Sequence, residues 1–535
     1  MPRLALSPVP PERAEADLLV LPVAAGPDGP LAPPVTAAVL ERLGTGLDAV
    51  AEGGTGGVRG TAGVVPRWVG GVRGTAGVVP RWIGSGRFSG ALDDLVALPG
   101  YGAVAAPMVL LVGVGPDAGR SAETLRRAAA VAVAGAGRAA TMAVALHRAG
   151  GPEPDAAAAL AAVAEGTALA AYRFTRHKSA PDPALAAATL LVDGDRALAA
   201  AEPVLRRAEV AARATVLARD LVNEPASRIN PATLAAEAVR LARAAGLEHE
   251  VLAGPALRRG RFGAVQAVGG GSATGPRLVR LRHRPGAGSP RTGHRTRHVA
   301  VVGKGVTFDS GGLDLKRGTG MDGMKDDMAG AAAILAAMTA AAELGLATEV
   351  TAILPLVENM PGGSAMRPGD VVTARNGITV EVTNTDAEGR LILADGLALA
   401  AEARPDAILD LATLTVSVVY GLGLGCAGVF GNTPALTAEV LAAATRAGEL
   451  ACELPLIEDY RRFLDSEVAD LVNSTNEPGD SVQAALFLRE FVAGTPWVHL
   501  DIAGPATAKE ARYYQPKGAT GCMVRTLLAF LEGSG

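Results

Sequence analysis

The segment 379–399, TVEVTNTDAEGRLILADGLAL, constrains this chain more than any other. Residues 380–385 alternate apolar and polar side chains, the pattern of a half-buried strand, and residues 391–399 place apolar side chains at helical spacing. Asp386, Glu388 and Arg390 lie between them, with Gly389 permitting a tight turn. Ligands of open α/β sheets gather at the carboxyl ends of strands, so this loop is expected there. Two carboxylates and a guanidinium at a strand end suit a cation bound beside an anion. An isolated D-x-E-x-R reads more simply as a solvated acidic turn with a helix-capping carboxylate. A second segment upstream overturns that simpler reading.

That segment follows an apolar strand at residues 298–302 and reads GKGVTFDSGG from Gly303 to Gly312. It is not a Walker A loop, because G-x-x-x-x-G-K-[ST] would need glycine at 298 and a hydroxyl after Lys304, where the chain has His298 and Gly305. It fails the G-x-G-x-x-G dinucleotide pattern as well. What it offers is Lys304 and Asp309 near a strand end and Lys316 after a glycine-rich turn. MDGMKDDM, residues 321–328, then opens an alanine-rich helix over 329–343. Together the loops supply Asp309, Asp327, Asp386, Glu388, Lys304, Lys316 and Arg390. Four carboxylates with no histidine nearby repel one another unless cations separate them. An all-oxygen site with bridging carboxylates suits two divalent ions about 3–4 Å apart. A lysine amine joins such a site only when deprotonated.

GKGVTFDSGG, MKDDMAGAA and NTDAEGRLILADGL resemble the signature segments of the leucyl aminopeptidase (cytosol aminopeptidase) family, the dinuclear-zinc exopeptidases. The resemblance extends through residues 218–230 (ARDLVNEPASRIN), 359–376 (NMPGGSAMRPGDVVTARN), 497–504 (WVHLDIAG) and 516–527 (PKGATGCMVRTL). It implies one tighter metal held by Lys304, Asp309, Asp327 and Glu388. A more exchangeable metal would be held by Asp309, Asp386 and Glu388, the ions being zinc or manganese. Lys316 and Arg390 match the two catalytic basic residues, and Arg390 would hold a bicarbonate ion. Met324, Asn384, Thr413, Leu414 and Val416 match substrate-lining positions. The implied activity is hydrolytic release of N-terminal amino acids from peptides, in a homohexamer whose active sites face an internal cavity.

Two departures from the family pattern bear on specificity. Leu414-Thr415-Val416 stands where the family has Leu-Thr-Gly, and residues 473–480 (NSTNEPGD) replace a more glycine-rich stretch. Valine keeps the backbone N–H but places a branched side chain in the specificity pocket. It would be strained if the site required positive φ.

The chain has 535 residues, too long for one ordinary domain. Short apolar strands are expected at 16–23, 107–113, 141–147 and 188–193, with helices at 121–138 and 155–174, which gives an N-terminal α/β domain over 1–196 with a largely parallel sheet. A long helical run, closed by Pro225, forms a linker at 197–223. The larger α/β domain at 224–535 carries the chemistry, and its sheet is expected to be mixed and flanked by helices. Its first strands are expected at 263–268 and 277–282.

The formal charge of −4 gives no general attraction to nucleic acid or anionic membrane. Against that total stand only a basic loop at 285–297 and a tandem repeat, GGVRGTAGVVPRWV at 56–69 followed by GGVRGTAGVVPRWI at 70–83. The repeat is read as a surface loop, since two copies do not bury a core. Cys426, Cys452 and Cys522 are widely spaced, which excludes a disulfide framework and suits a reducing cytoplasm. Glu12, Arg13, Glu15 and Asp17 interrupt any export signal. The uncharged stretch from Leu411 to Ala438, rich in glycine, is expected to be a buried loop between strand and helix rather than a membrane span.

Overall fold

A computed structural model describes residues 1–26, 29–52, 88–100, 102–149, 154–180, 184–285 and 296–533. The tandem repeat and most of the basic loop lie outside these. The chain divides into two compact units, one of Met1–Ala212 with Ala511–Pro516 and one of Arg213–Glu510 with Lys517–Gly535.

The first unit is built on β1 (Arg3–Ser7), β2 (Leu18–Gly26), β3 (Gly29–Leu31), α1 (Pro34–Glu52), β4 (Leu95–Pro99), β5 (Met108–Gly113), α2 (Ala122–Gly135), β6 (Thr141–Val144), α3 (Ala156–Ala170) and β7 (Ala187–Leu191). The sheet order is β1-β7-β6-β2-β5-β4, parallel from β1 to β5, with β4 antiparallel and β3 paired to β2. Its strands are apolar on both faces, as in LLVLPV of β2, because helices cover parallel sheets on both sides. The strand expected over 141–147 stops at Val144, and Leu146–Arg148 forms a 3₁₀ turn. Then α4 (Gly194–Asn223) runs unbroken, and the division between units falls inside it.

The second unit continues with α5 (Pro231–Ala245), β8 (Glu248–Ala253), α6 (Pro255–Arg259), α7 (Gly263–Val268), β9 (Arg277–His283), β10 (His298–Gly303), β11 (Gly305–Asp309), α8 (Ala329–Leu344), β12 (Glu349–Asn359), β13 (Val371–Thr373), β14 (Thr379–Glu381) and α9 (Glu388–Glu402). It ends with β15 (Ala407–Ala412), α10 (Val416–Leu422), β16 (Ala427–Gly431), α11 (Pro434–Ala447), β17 (Ala451–Glu453), β18 (Leu471–Val472), α12 (Asp480–Arg489), β19 (Trp497–Asp501) and α13 (Val524–Leu531). The main sheet has the order β17-β16-β19-β15-β10-β12-β9-β8, with β11 alongside β12. Strands β19, β15, β10 and β12 are parallel, and β9 and β16 flank them antiparallel, so the sheet is mixed.

Three local expectations change. Residues 263–268 are the helix α7, not a strand. The carboxylate of Asp395, on α9, accepts the Val265 N–H at 2.9 Å, a cap supplied from 130 residues away. The strand expected over 380–385 shrinks to β14, which sits in a small side sheet of β13, β14 and β18. Residues 305–309, read as loop, are the strand β11.

The stretch from Leu411 to Ala438 contains α10 and β16 and enters α11, so it forms no continuous span. Among the described residues one stretch, Gly318–Leu344, is long and apolar enough to cross a membrane. Its most apolar window is 78% buried within the protein, as expected of a core helix. That burial is the packing of α8, with Ile334, Leu335 and Met338 inaccessible to solvent.

Candidate active site

The parallel strands at the centre of the main sheet all deliver residues to one edge, their carboxyl ends. Lys304 follows β10, Asp309 ends β11, Asn359 ends β12, Thr413 follows β15 and Asp501 ends β19. The register Gly303↔Leu411 and Ala412↔Asp501 brings these ends level, and Asp309↔Asn359 places β11 beside them. Asp327 immediately precedes the turn into α8, and Glu388 is the first residue of α9.

Two tight contacts make this convergence possible. Gly311, at φ +88°, begins the turn that returns Lys316 toward Asp309. Gly389 lies inside α9, where no turn requires it. Its role is proximity, since a Cβ there would stand 2.6 Å from Cε of Lys304.

Asp309, Asp386 and Glu388 present oxygens within 4.8 Å of one another. Lys304 Nζ lies 2.7 Å from Asp327 Oδ1 and 3.0 Å from Glu388 Oε1, and donates to the Thr413 carbonyl at 2.8 Å. Lys316 Nζ lies 2.8 Å from Asp309 Oδ2 and 2.6 Å from Asp386 Oδ1. Four carboxylates thus face two ammonium groups in a buried setting. Burial works against the Lys304 charge, but Asp327, Glu388 and Asp309 outweigh it and hold the amine well above its ordinary value. Lys316 is raised in the same way by Asp309 and Asp386. Burial, reinforced by like charge from Asp309, raises the carboxyls of Asp386 and Glu388. Asp327 is raised by burial and by Glu388 and Asp309 despite the nearby Lys304.

Three oxygens of the cluster lack a well-formed hydrogen bond. Asp327 Oδ2 is buried without a hydrogen-bond partner, while Asp386 Oδ1 and Glu388 Oε1 meet lysine ammonium groups but accept no hydrogen bond in good geometry. Buried acceptors without a well-formed hydrogen bond are costly, and two ammonium groups do not balance four carboxylates. An oxygen-rich donor set of this kind fits hard or borderline divalent metals.

Residues outside the three signature segments hold the arrangement. Asn359 donates to Asp309 Oδ1 and to the Thr385 carbonyl. Asp314 Oδ2 accepts the Thr385 N–H at 2.7 Å, stitching the upstream loop to the downstream one. Asn473 Oδ1 accepts from Thr383, and its amide donates to the Asn384 carbonyl. Asp501 accepts the N–H groups of Leu414 and Thr415. None of these four sits in a chemistry-bearing pattern, and only an acidic or amide residue at a strand or loop end gave a hint.

Of the residues matching substrate-lining positions, Asn384 caps the Asp386 N–H and Thr413 donates to Asp327 Oδ1 at 2.7 Å. Leu414 is half-buried beside Gly389, and Met324 is half-buried on a 3₁₀ turn. Val416 is 66% exposed and opens α10 directly after the Thr415 cap. It is not among the residues with positive φ, so the strain considered for it does not arise. Arg390 is 4% exposed; its guanidinium donates to the Asn473 carbonyl at 2.8 Å and to Asp480 Oδ1 at 2.7 Å.

The sequence pattern of the cytosol aminopeptidase family, catalytic domain, matches residues 216–528. The chain belongs to the cytosol aminopeptidase family. That family's N-terminal domain pattern matches residues 73–181, beginning within the second copy of the repeat. A probable cytosol aminopeptidase of Micrococcus luteus is 45% identical over 463 residues, covering 83% of this chain and 88% of the relative. One from Streptomyces avermitilis is 43% identical over 459 residues, covering 83% and 87%. Among solved structures, the bottromycin maturation enzyme BotP in complex with Mn aligns with a TM-score of 0.79 at 42% identity, covering 85% of this chain and 96% of that one. A mutant of tomato leucine aminopeptidase aligns with a TM-score of 0.81 at 30% identity, covering 100% and 97%. As a member of the cytosol aminopeptidase family the chain is a peptidase, a metal-dependent hydrolase that removes residues from peptide N-termini.

Proposed function

We propose that two divalent cations are held by Lys304, Asp309, Asp327, Asp386 and Glu388, with Asp309 and Glu388 shared between them. The observation that carries this reading is the set of buried carboxylate oxygens on Asp327, Asp386 and Glu388 that lack hydrogen bonds. When bound, the ions supply Lewis acidity for the scissile carbonyl and bring the pKa of a water near neutrality. Lys304 must lose a proton to join them, so cation uptake releases protons and weakens as pH falls. Zinc or manganese suits the donor set, and the Mn complex of BotP favours trying manganese first.

The remaining roles belong to side chains of this chain. Of the two lysines Lys316 is the more exposed, 16% against 5%, so it reaches toward substrate and donates to the developing oxyanion. Met324, Asn384, Thr413, Leu414 and Val416 border the first residue of the peptide, and Asp501 fixes the Leu414 backbone by accepting its N–H. The homohexamer, the cytoplasmic setting and the assignment of residues 1–196, 197–223 and 224–535 as assembly domain, linker and catalytic domain belong to the same reading, supported by family membership.

The test is chelation followed by reloading with Zn, Mn, Co or Mg, with hydrolysis of a panel of amino-acid amides and metal analysis. Activity should vanish with the metal and return as the second ion binds. Full activity in metal-free protein would overturn the reading. Lys316→Ala should keep both ions yet lose kcat by about 10²-fold or more. An unchanged kcat with a raised KM would reduce Lys316 to a binding residue.

A further inference from the structure

Arg390 lies two residues beyond Glu388 on the first turn of α9, and the family resemblance expects bicarbonate on its guanidinium. The surroundings of that guanidinium do not fit an added anion. One terminal nitrogen is taken by the Asn473 carbonyl and the other by the carboxylate of Asp480, at 2.8 and 2.7 Å. Nε is buried and unpartnered. An incoming oxyanion would have to share terminal nitrogens already engaged by Asn473 and Asp480, and would meet the Asp480 negative charge at the same guanidinium.

Asp480 reaches this position for local reasons. It is the first residue of α12, where a carboxylate is favoured by the helix dipole, and it follows Gly479, whose φ of +92° turns the chain into the helix. Residues 473–480 are the stretch that departs from the family pattern. Its first member, Asn473, binds Arg390 through its carbonyl and the 383–387 loop through its side chain. The departure thus delivers the Asp480 carboxylate to the arginine that also donates to the Asn473 backbone carbonyl.

We infer that Asp480 is a built-in counter-anion for Arg390, occupying the place of a soluble oxyanion, so that catalysis by this enzyme is independent of bicarbonate. Asp480 acts through Arg390 and is a positioning residue. The inference rests on the metallopeptidase reading for its kinetic arm only, since anion binding is measured on metal-free protein.

In carbon dioxide-purged buffer, wild-type amide hydrolysis should be unchanged by added bicarbonate. Asp480→Ala opens the position and should lower kcat by about tenfold or more, the scale of one charge-assisted hydrogen bond. Bicarbonate or formate should restore it, which a merely structural residue would not allow. By NMR, ¹³C-bicarbonate should broaden with metal-free Asp480→Ala and not with metal-free wild type or with an Arg390→Ala, Asp480→Ala double variant. Stimulation of the wild type by bicarbonate, full activity of Asp480→Ala without anion, or a loss that no small anion restores would each overturn the inference. So would bicarbonate binding to metal-free wild type, a measurement that stands whether or not the variants fold.

Discussion

Glu165 and Glu388 are both buried glutamates, 3% and 2% exposed, each on a helix of an α/β unit. Glu165, on α3, accepts from Arg126 Nε and from Arg207, each at 3.0 Å, and Arg126 is further paired with Glu123 on α2. Glu388, on α9, lies in a buried cluster with three other carboxylates and only two lysines, and its Oε1 is 3.0 Å from Lys304 Nζ but accepts no well-formed hydrogen bond. The first glutamate is complete within the chain. The second is left with an oxygen that no hydrogen bond within the chain satisfies. A buried acid in itself says little about function, since networks of paired charges occur in structural cores. Incomplete pairing is what separates a binding site from a structural network.

Replacing the incomplete glutamate should give the larger effect. Glu388→Ala should lose bound metal and peptidase activity together, because its carboxylate is shared between both proposed ions. Retention of two ions per chain by this variant, measured by metal analysis, would break the comparison at its centre.

Stability of metal-free protein sharpens it further. Glu165→Gln should lower the unfolding free energy by about 1–3 kcal/mol, as a buried arginine network loses its acceptor charge. Glu388→Gln should raise the melting temperature instead, by removing one member of a repelling set. The pH dependence follows the same logic. Burial and like charge raise Asp327, Asp386 and Glu388 above their ordinary values of 3.8 and 4.5, so the folded protein holds protons that the unfolded chain has released. Metal-free stability should therefore fall as pH rises through that range, and bound metal should remove the fall. Equal losses from both glutamine variants would show that the excess charge carries no cost.

The smallest expected effect concerns Val416, at the rim. Its side chain is ordinary in conformation and largely exposed, so any influence on specificity comes from the space it fills. Val416→Gly should raise kcat/KM for Leu-amide over Ala-amide by roughly tenfold, the worth of one or two methylenes of pocket. Equal gains for both substrates, or a native preference for Leu, would remove Val416 from the specificity argument.

The chemistry was more legible in the sequence than its support. Lys304, Asp309, Lys316, Asp327, Asp386, Glu388 and Arg390 fall in compact motifs, and their charges alone imply a cation. Asn359, Asp314, Asn473, Asp480 and Asp501 were not legible as site residues, because each reaches its partner across a loop or a neighbouring strand. The Asp314–Thr385 and Thr383–Asn473 bonds, for example, span 71 and 90 residues. Helix α7 is not legible as a helix for the same reason, since the carboxylate that caps it lies on α9. Strand β14 was overdrawn because alternation continues through Thr383 and Thr385 after the ladder has ended; side-chain hydrogen bonds hold those residues instead.

Gly389 carries a consequence for anyone seeking a sturdier enzyme. Within a helix, alanine is favoured over glycine by about 1 kcal/mol, so a propensity-guided redesign would choose Gly389→Ala early. The added methyl would stand 2.6 Å from Cε of Lys304 and 2.8 Å from its Nζ, and the lysine would have to leave its place between Asp327 and Glu388. Thermal screening alone would reward a change that displaces a lysine of the proposed metal site. The weakest link in α9 is the gap through which the lysine reaches the carboxylates.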